Sequence, residues 1–307
     1  MKPIVTLGMC MRNCEKWIRY ALQSILQQDF PHELIEAIFF DDGSDDRTLE
    51  IVEQWSKKTD VKTKIIRGRW VGLGKGRNTI INNSSGKYII WIDSDQIFPK
   101  RYVRDQMEFM EKNPDVGIGA GLPFVNNKDF SLVLKLEMLA YIVECFQNNQ
   151  PRSFLFKTKK YPGTGGSIYR VEALKAVGGF DDTIKGSGED VDVGKRIELA
   201  GWKSYWNSNR FIETHSRMSG FAYLWKRYLS GGKWNQKLYA KDRSILSLPR
   251  MSPLGSFVAG IVYSVKAYRI TSLKISFLLP IHFMFKMTAW FVGFIGSQIS
   301  NKAQARR

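Results

Sequence analysis

Short apolar runs alternate with segments of helical periodicity through the first 92 residues of this 307-residue chain, and this pattern constrains its fold most strongly. Four runs have the length of strands, at residues 4–10, 34–40, 61–68 and 87–92. Apolar residues at helical spacing follow the first two runs, and a glycine-rich helix start follows the third. Strands that alternate with helices form a mostly parallel sheet with helices on both faces. The sequence therefore predicts an α/β fold.

Two aspartates interrupt the fourth run in the stretch "IIWIDSDQIF", residues 89–98. One serine separates Asp93 from Asp95, and two anions this close repel each other unless a positive charge lies between them. A solvated turn at the end of a strand is one explanation. A divalent cation is the other, because hard oxygen ligands favour it.

Acids also follow the second run, in the stretch "DDGSDD" at residues 41–46. Ligands of parallel sheets bind beyond the carboxyl ends of the strands. This rule brings four acids to one edge of the sheet: Asp41, Asp42, Asp93 and Asp95. Four carboxylates on one edge are hard to explain as solvated turns, and they favour a site for a metal-bound, sugar-bearing nucleotide.

The stretch "GLGKGRN", residues 72–78, lacks the G-x-G-x-x-G spacing of a dinucleotide-binding fingerprint, and it follows the third strand, not the first. A glycine-rich turn at a helix start does offer backbone N–H groups to a phosphate, and Arg77 could pair with the same group. The sequence therefore favours a phosphate contact here over a nicotinamide cofactor.

A second acidic cluster, Glu189, Asp190 and Asp192, opens a predicted helix in the stretch "GSGEDVDVGKRIELAGWK", residues 186–203. Three side chains of this helix are expected to face inward: Val193, Ile197 and Leu199. Acids in a first helical turn ordinarily cap the helix and interact with its dipole. A carboxylate there can instead face the edge of the sheet and act as a general base.

Four motifs, "DDGSDD", "GKGRN", "WIDSD" and "GEDVDVGKRIELAGWK", occur in this order at familiar spacing. Together they resemble the inverting glycosyltransferases of family 2, which have the GT-A fold. The resemblance covers residues 4–206, about two thirds of the chain. It implies that Asp41 and Asp42 hold the uracil and ribose of a nucleotide-sugar, and that Arg77 lies near the base and diphosphate.

The resemblance also implies a metal and a catalytic base. Asp93 and Asp95 match the D-x-D pair of the family, with Asp95 as the direct ligand of Mn²⁺ or Mg²⁺. Asp190 matches the catalytic base. His215, in "ETHS", stands where some members place a third metal contact, and a packed or capping histidine is the alternative.

The acceptor side of the site is expected to include Glu189 and the glycine-rich turn at Gly165 and Gly166. Asp190 could take the proton of an acceptor hydroxyl as that oxygen attacks from the opposite sugar face, which inverts the anomeric centre. The Q-x-x-R-W motif of processive synthases is absent from the sequence, and "KRYLSGGKW" (226–234) stands in its place. The expected reaction is transfer of one sugar, with a UDP-sugar favoured as donor, to a glycan or lipid-linked acceptor.

The net charge of +17 is concentrated near the C-terminus. Residues 215–307 carry 15 Lys or Arg and one acid, a net charge of +14, whereas the preceding 214 residues carry only +3. This asymmetry favours an anionic surface as partner. A nucleic-acid-binding protein is the least favoured class, because the acidic edge would repel phosphate.

Apolar residues in the same region favour a membrane as that surface. Residues 254–265 are too short to span a bilayer, and residues 275–299 contain a central lysine, Lys286, which costs roughly 2.5–3.5 kcal/mol at the bilayer centre. Helices that lie in the membrane interface suit the composition better, with aromatic side chains buried in lipid. These are Phe257, Phe277, Phe283, Phe285, Trp290 and Phe291. A helical lid and a transmembrane insertion are the alternatives.

The sequence predicts a GT-A nucleotide-sugar transferase domain at 1–214, a helical acceptor-side segment at 215–250 and C-terminal membrane-associating helices at 251–307. The N-terminus lacks the pattern of a signal peptide, and the three cysteines are expected to be reduced thiols. The expected location is the cytoplasmic face of the cell membrane. A nucleotidyltransferase with a similar sheet and metal site is the main alternative, and it would release pyrophosphate instead of nucleoside diphosphate.

Overall fold

The computed structural model describes residues 2–123, 130–147, 150–151, 163–184, 188–213, 220–241, 243 and 248–304. By its internal contacts the chain divides into two units. The first unit comprises Met1–Phe124, Arg152–Lys185 and Glu189–Thr214, and the second comprises Val125–Pro151, Gly186–Gly188 and His215–Arg307. The chain therefore enters the second unit three times.

The strands of the first unit form one mixed sheet. In chain order the described strands are β1 (Val5–Met11), β2 (Ile35–Asp41), β3 (Lys62–Arg67), β4 (Tyr88–Trp91), β5 (Gln96–Ile97), β6 (Val116–Pro123), β7 (Phe146–Gln147), β8 (Gln150–Pro151), β9 (Ser167–Arg170) and β10 (Lys203–Glu213). The sheet has the order β3-β2-β1-β4-β9-β6-β10-β5, while β7 and β8 pair with each other in the second unit. β1 is parallel to β2 and β4, and β9 is antiparallel to β4 and β6. The predicted α/β fold with a mostly parallel sheet is confirmed.

The register of the parallel strands aligns their carboxyl ends. Met11 at the end of β1 lies opposite Asp41 at the end of β2, and Gly8 lies opposite Trp91 at the end of β4. Because parallel strands leave a sheet at the same edge, the segments that follow β1, β2 and β4 begin side by side. This edge carries the candidate site.

Helices of the first unit cover both faces of its sheet. The described helices are α1 (Ile18–Leu26), α2 (Thr48–Ser56), α3 (Leu73–Asn83), α4 (Tyr102–Lys112), α5 (Leu132–Cys145), α6 (Val171–Ala176), α7 (Glu189–Leu199), α8 (Phe221–Lys241), α9 (Leu248–Met251), α10 (Pro253–Thr271) and α11 (Leu279–Gln304). Side chains of β4 alternate between two hydrophobic clusters, because successive strand residues point to opposite faces. One cluster includes α1, α2 and α4, and the other includes α3, α6 and α7.

The prediction that Leu199 faces inward is wrong. Val193 and Ile197 of α7 are fully buried, but Leu199 is 76% exposed. Two residues advance an α-helix by about 200°, so Leu199 lies on the side opposite Ile197. An apolar side chain at position 199 therefore does not continue the buried face of α7.

Apart from β7 and β8, the described part of the second unit is helical, and it has its own core. Leu136 and Leu139 of α5 pack with Ala267 of α10 and with Leu279 and Phe283 of α11. The sequence patterns do not predict a helix at α5, which ends 108 residues before α10 begins. Helices α8 and α11 approach so closely that a Cβ added at Gly293 would lie 2.0 Å from the Leu229 carbonyl oxygen.

One stretch of the second unit could cross a bilayer by length and composition alone. Within the described residues this is Lys274–Ile299, and 39% of its most apolar window is buried inside the protein. The prediction that Phe283 and Trp290 insert into lipid is wrong. Both side chains are buried inside the protein, with exposures of 8% and 2%. Phe277, in the 3-10 turn Lys274–Leu278 before α11, is 53% exposed.

Candidate active site

The two aspartates at the end of β2 are held by hydrogen bonds from the backbone. The carboxylate of Asp41 is buried and accepts from the backbone N–H and the hydroxyl of Ser44. The carboxylate of Asp42 accepts from the N–H groups of Val71 (2.6 Å) and Gly72 (3.0 Å). Asp42 thereby fixes the end of β2 to the loop that leads into α3.

The same loop carries an exposed aromatic residue that the sequence motifs do not identify. Trp70 is 71% exposed and has a φ of 44°, in the left-handed region that a bulky residue seldom adopts. Its ring lies 4.0 Å from the guanidinium carbon of Arg12, which directly follows β1. The available signal was a tryptophan in the polar stretch "RGRW" (67–70), just before the glycine-rich helix start.

The turn that contains Asp93 and Asp95 follows β4 directly. The backbone N–H of Asp93 donates to Gln96 Oε1 (3.0 Å), and the N–H of Gln96 donates to the Asp93 carbonyl (3.0 Å). The turn therefore closes on itself. Asp93 and Asp95 are both half-buried, so their carboxylates lie at the border between protein and solvent.

The glycine-rich turn at Gly165 and Gly166 packs against Asp93. The N–H of Gly166 donates to the Trp91 carbonyl (2.8 Å). A Cβ added at Gly165 would lie 2.6 Å from Asp93 Oδ2 and within contact of Gln96 Nε2, so this position has room only for hydrogen. Glycine at position 165 therefore allows the close approach of the two turns.

Arg77 is buried beneath the edge of the sheet. Its guanidinium donates to Glu189 Oε1 and to Thr164 Oγ1 (2.6 Å), and it lies 5.3 Å from the centre of the Phe180 ring. Arg77 was predicted near the base and diphosphate, and Glu189 on the acceptor side. The structure brings these two side chains together, a pairing that sequence motifs 112 positions apart do not reveal.

Only one of the two carboxylate oxygens of Glu189 accepts a hydrogen bond from the described residues. Oε1 pairs with Arg77, whereas Oε2 is buried and has no hydrogen-bond partner among the described residues. A buried carboxylate with an unsatisfied oxygen is costly. Glu189 therefore brings a buried and only partly paired carboxylate next to Asp190.

Asp190 lies in the first turn of α7, beside Glu189. Its Oδ1 accepts from the Val191 N–H (2.8 Å), and its Oδ2 lies on the side of Gly163. Burial, assisted by the negative charge of Glu189, raises the pKa of Asp190 to about 7, while Arg77 opposes the shift. A carboxyl group with a pKa near neutrality can both accept and return a proton under physiological conditions.

Cys10, at the carboxyl end of β1, is a further residue beside this group. Burial raises the pKa of the Cys10 thiol to about 12, although the positive charge of Arg77 opposes the shift. The thiol is therefore protonated at neutral pH. Cys10 and Cys14 are free cysteines in the described structure, as expected for reduced thiols.

The donor set for a metal is small. Within the described ranges, no group of three or more His, Cys, Asp or Glu side chains is arranged to hold a metal ion. Mg²⁺ and Mn²⁺ sites on nucleotide enzymes commonly use one or two carboxylates, with phosphate oxygens and water as the other ligands. The hard oxygens of Asp93 and Asp95 fit that chemistry. His215, the third predicted ligand, lies outside the described residues.

The sheet order and the acids at its edge are those of a GT-A fold, and solved structures agree. The mannosyltransferase PcManGT from Pyrobaculum calidifontis, in complex with GDP-Man and Mn²⁺, matches with a TM-score of 0.67 at 17% identity over 97% of this chain and 88% of that chain. Staphylococcus aureus TarS 1-349, in complex with UDP-GlcNAc, matches with a TM-score of 0.52 at 18% identity over 97% of this chain and 92% of that one. At these identities the likeness establishes the fold.

The family is established by sequence. The model of the family described as "Glycosyl transferase family 2" matches residues 6–178, more than half of the chain. The chain belongs to this family and is a glycosyltransferase.

Two curated relatives from staphylococci are similar over the same region. Poly(ribitol-phosphate) beta-N-acetylglucosaminyltransferase TarS of Staphylococcus aureus is 28% identical over 64% of this chain and 32% of that protein. Poly-beta-1,6-N-acetyl-D-glucosamine synthase of Staphylococcus epidermidis is 28% identical over 61% of this chain and 44% of that protein. The matched part thus spans less than half the length of either relative.

Proposed function

We propose that this glycosyltransferase moves one sugar from a nucleotide-diphosphate sugar, with a UDP-sugar favoured, to an acceptor with inversion of the anomeric centre. The observation that carries the proposal is the position of Asp190, which lies in the first turn of α7 next to the buried Arg77–Glu189 ion pair. Burial, together with the charge of Glu189, raises the pKa of Asp190 to about 7. The donors bound in the two similar solved structures, GDP-Man and UDP-GlcNAc, support a nucleotide-sugar.

The donor would bind at the carboxyl ends of β1, β2 and β4. Asp41 accepts from the N–H and the hydroxyl of Ser44, and Asp42 accepts from two backbone N–H groups, so each carboxylate still has lone pairs for further donors. Asp41 and Asp42 would accept hydrogen bonds from the base and ribose. Arg77 would contribute positive charge from beneath the site. Asp95, with Asp93, would hold Mn²⁺ or Mg²⁺, which when bound neutralises the charge that develops on the leaving diphosphate.

Asp190 would act as the base. Its carboxylate takes the proton of the acceptor hydroxyl while that oxygen forms a bond to the anomeric carbon from the face opposite the diphosphate. The bond between the anomeric carbon and the diphosphate oxygen breaks, and its electron pair leaves with the nucleoside diphosphate. Glu189, Gly165 and Gly166 would lie on the acceptor side. Glycine at position 165 leaves the Asp93 carboxylate accessible, because any side chain there would meet it.

The acceptor would be lipid-linked, and the enzyme would work at the cytoplasmic face of the cell membrane. The apolar stretch Lys274–Ile299 and the net charge of +14 over residues 215–307 support association with an anionic membrane through the C-terminal helices. A glycan acceptor without a lipid would use the same chemistry at Asp190.

A donor screen with product analysis tests the proposal. The full chain is mixed with UDP-, GDP- and dTDP-sugars, with and without Mn²⁺ or Mg²⁺, and its melting temperature is measured. We expect stabilisation by one donor class in the presence of metal, and slow release of nucleoside diphosphate from that donor. Release of pyrophosphate would identify a nucleotidyltransferase, and the absence of stabilisation by every donor would contradict the proposal.

A further inference from the structure

Helix α10 has the reverse of the polarity expected for a helix on a water-soluble core. Its buried positions are small: Ser256, Gly260, Ser264 and Ala267. Its exposed positions are large and aliphatic: Leu254, Val258, Ile261, Val262 and Val265, with exposures of 41–74%. An amphipathic helix in water has its apolar stripe inside and its polar face outside. These five aliphatic side chains face away from the protein, while Tyr263 and Ile270 of α10 are half-buried against the core of the second unit.

The small residues hold α10 close to its neighbour. A Cβ added at Gly260 would lie 2.5 Å from Pro280 Cα, and the Ser256 hydroxyl donates to the Phe283 carbonyl (3.3 Å). Small residues that bring two helix backbones together, with larger ones outside, are typical of helices packed in lipid. The inward face of α10 is thus satisfied by contacts, and its outward face is available.

The apolar surface continues into the start of α11. Phe277, Leu278 and Ile281 are 53%, 42% and 60% exposed. The rings of Tyr268 on α10 and Phe277 lie 5.3 Å apart, so the two sets of side chains meet. Together, Leu254, Val258, Ile261, Val265, Phe277 and Ile281 define the outward apolar face.

Basic side chains accompany this face. Arg250, Lys266, Arg269 and Lys274 are exposed on or beside α10, and the sequence contains no Asp or Glu after Asp242. Large exposed apolar patches mark interaction sites, and positive charge without acids complements an anionic leaflet. An aqueous protein partner has no such charge requirement, whereas this combination is that of interfacial membrane helices.

His282 and Lys286 of α11 bind a carboxylate of α5 inside the second unit. Within the second unit, Glu137 Oε1 of α5 is 2.8 Å from Lys286 Nζ and 2.6 Å from His282 Nε2, and Glu137 Oε2 accepts from the Tyr228 hydroxyl of α8 (2.8 Å). Although burial opposes ionisation, the Lys286 ammonium lowers the pKa of Glu137, so the pair is charged at neutral pH. Helix α5 has 14 residues, about 21 Å, which is too short to follow α11 through a bilayer.

We propose that the outward apolar face of α10 and the start of α11 is a membrane-docking surface that inserts shallowly into an anionic leaflet, without a spanning helix. The inference deepens the proposed function and rests on its membrane-linked acceptor, because it names the surface that would bring the enzyme to that acceptor. Buried Phe283, Trp290 and Lys286 belong to the unit that carries this surface and do not enter the lipid.

Vesicle flotation of the full chain tests the surface. The probe is a vesicle of phosphatidylcholine with phosphatidylglycerol, and the test variant is Leu254→Asn/Val258→Asn/Ile261→Asn, which removes apolar area without changing charge. We expect partitioning to fall by at least about tenfold, because these side chains would leave lipid contact. Leu199→Asn is the matched control, since Leu199 is 76% exposed and Leu254 is 74% exposed, and it should float like the parent.

Three outcomes would overturn the inference: a triple variant that floats like the parent, a parent chain that does not float, or a parent chain that resists extraction from the vesicles by alkaline carbonate. Equal melting temperatures of the parent and the triple variant verify that the fold is kept. Donor hydrolysis is measured on the same preparations without vesicles. Its absence would count against the proposed glycosyl transfer alone. With intact hydrolysis, a triple variant that floats like the parent would count against the docking surface alone, whereas a parent that does not float would count against both the docking surface and the membrane-linked acceptor.

Discussion

Arg77 and Glu189 form a buried ion pair that joins α3 to α7 directly beside Asp190. The two charges act on Asp190 in opposite directions: Glu189 raises its pKa and Arg77 lowers it. Burial is the largest cause of the raised Asp190 pKa, and the ion pair modulates that pKa in addition to joining the two helices.

Glu189→Gln should move the acid limb of the pH–activity profile to lower pH. Loss of the Glu189 charge removes one of the causes that raise the Asp190 pKa and leaves Arg77, which lowers it. The measurement is kcat/KM against pH with the natural donor. Glu198→Gln, at the other end of α7, is the control and should leave the limb in place. An unchanged limb in Glu189→Gln would contradict the proposed electrostatic coupling.

Asp190→Asn should reduce turnover by roughly 10²–10⁴-fold while donor binding persists, because the amide keeps the shape but cannot accept the proton. Calorimetry with the donor separates binding from turnover. A loss under about threefold would assign Asp190 to helix capping. A polyprenyl-phosphate acceptor already has an ionised oxygen, so near-full activity toward it, with loss toward hydroxyl acceptors, would identify the acceptor class.

Asp190→Asn should also stabilise the fold at higher pH. The pKa of Asp190 is about 7 in the folded chain and about 3.9 in the unfolded chain, so between these values the folded state binds more protons. Stability from this group therefore falls as pH rises through that window, and asparagine has no such loss. Melting temperatures should differ little at about pH 4 and favour the variant at about pH 8. A difference that is independent of pH would show that Asp190 titrates elsewhere.

Asp95→Asn should abolish metal-dependent donor binding and leave the fold intact, because the amide oxygen is a weaker ligand for a hard cation than a carboxylate. Titration calorimetry with and without Mn²⁺ measures the effect. Asp45→Asn is the control, as Asp45 is an exposed acid in the segment after β2. Unchanged Mn²⁺-dependent affinity in Asp95→Asn would refute its role as metal ligand.

Gly293→Ala should destabilise the second unit, whereas Gly296→Ala should not. An added Cβ at Gly293 would lie 2.0 Å from a backbone oxygen of α8, and at Gly296 it would meet nothing within 4 Å. Overpacking of this kind costs about 1–3 kcal/mol, while alanine at an open helical position gains about 0.5–1 kcal/mol. Thermal unfolding of both variants gives the comparison. Equal unfolding midpoints for the two variants would show that the α8–α11 contact has room for a methyl group at position 293.

The strand ends were predictable from sequence because they depend on local patterns. Asp41 and Asp93 follow apolar runs whose length and spacing mark strands, and parallel pairing then brings them to one edge. The pairing of Arg77 with Glu189 was not predictable, since each motif is explained by its own surroundings and nothing local indicates a partner 112 residues away. The left-handed backbone of Trp70 has no sequence signature either.

For the C-terminal helices, the sequence did not predict which side chains are buried. Composition indicated a basic, apolar region, but it could not tell which apolar residues face the protein. Phe283 and Trp290 are as hydrophobic as Phe277, yet they are buried in the second unit, while Phe277 is exposed. Lys286 appeared as an obstacle within an apolar stretch because its partner, Glu137, lies 149 residues earlier.

The repeated entry of the chain into the second unit limits how this enzyme can be rebuilt. Because Val125–Pro151 supplies α5, no single cut releases the C-terminal helices with a complete core. A graft of residues 215–307 onto another transferase would lack Glu137, the carboxylate that binds Lys286 and His282. A chain truncated at residue 215 would keep α5 but lose the helices that bury its apolar side chains. The two units are therefore expected to be exchanged between relatives only together. A crossover within a surface loop of one unit should give a folded protein, whereas a crossover near residue 215 should not.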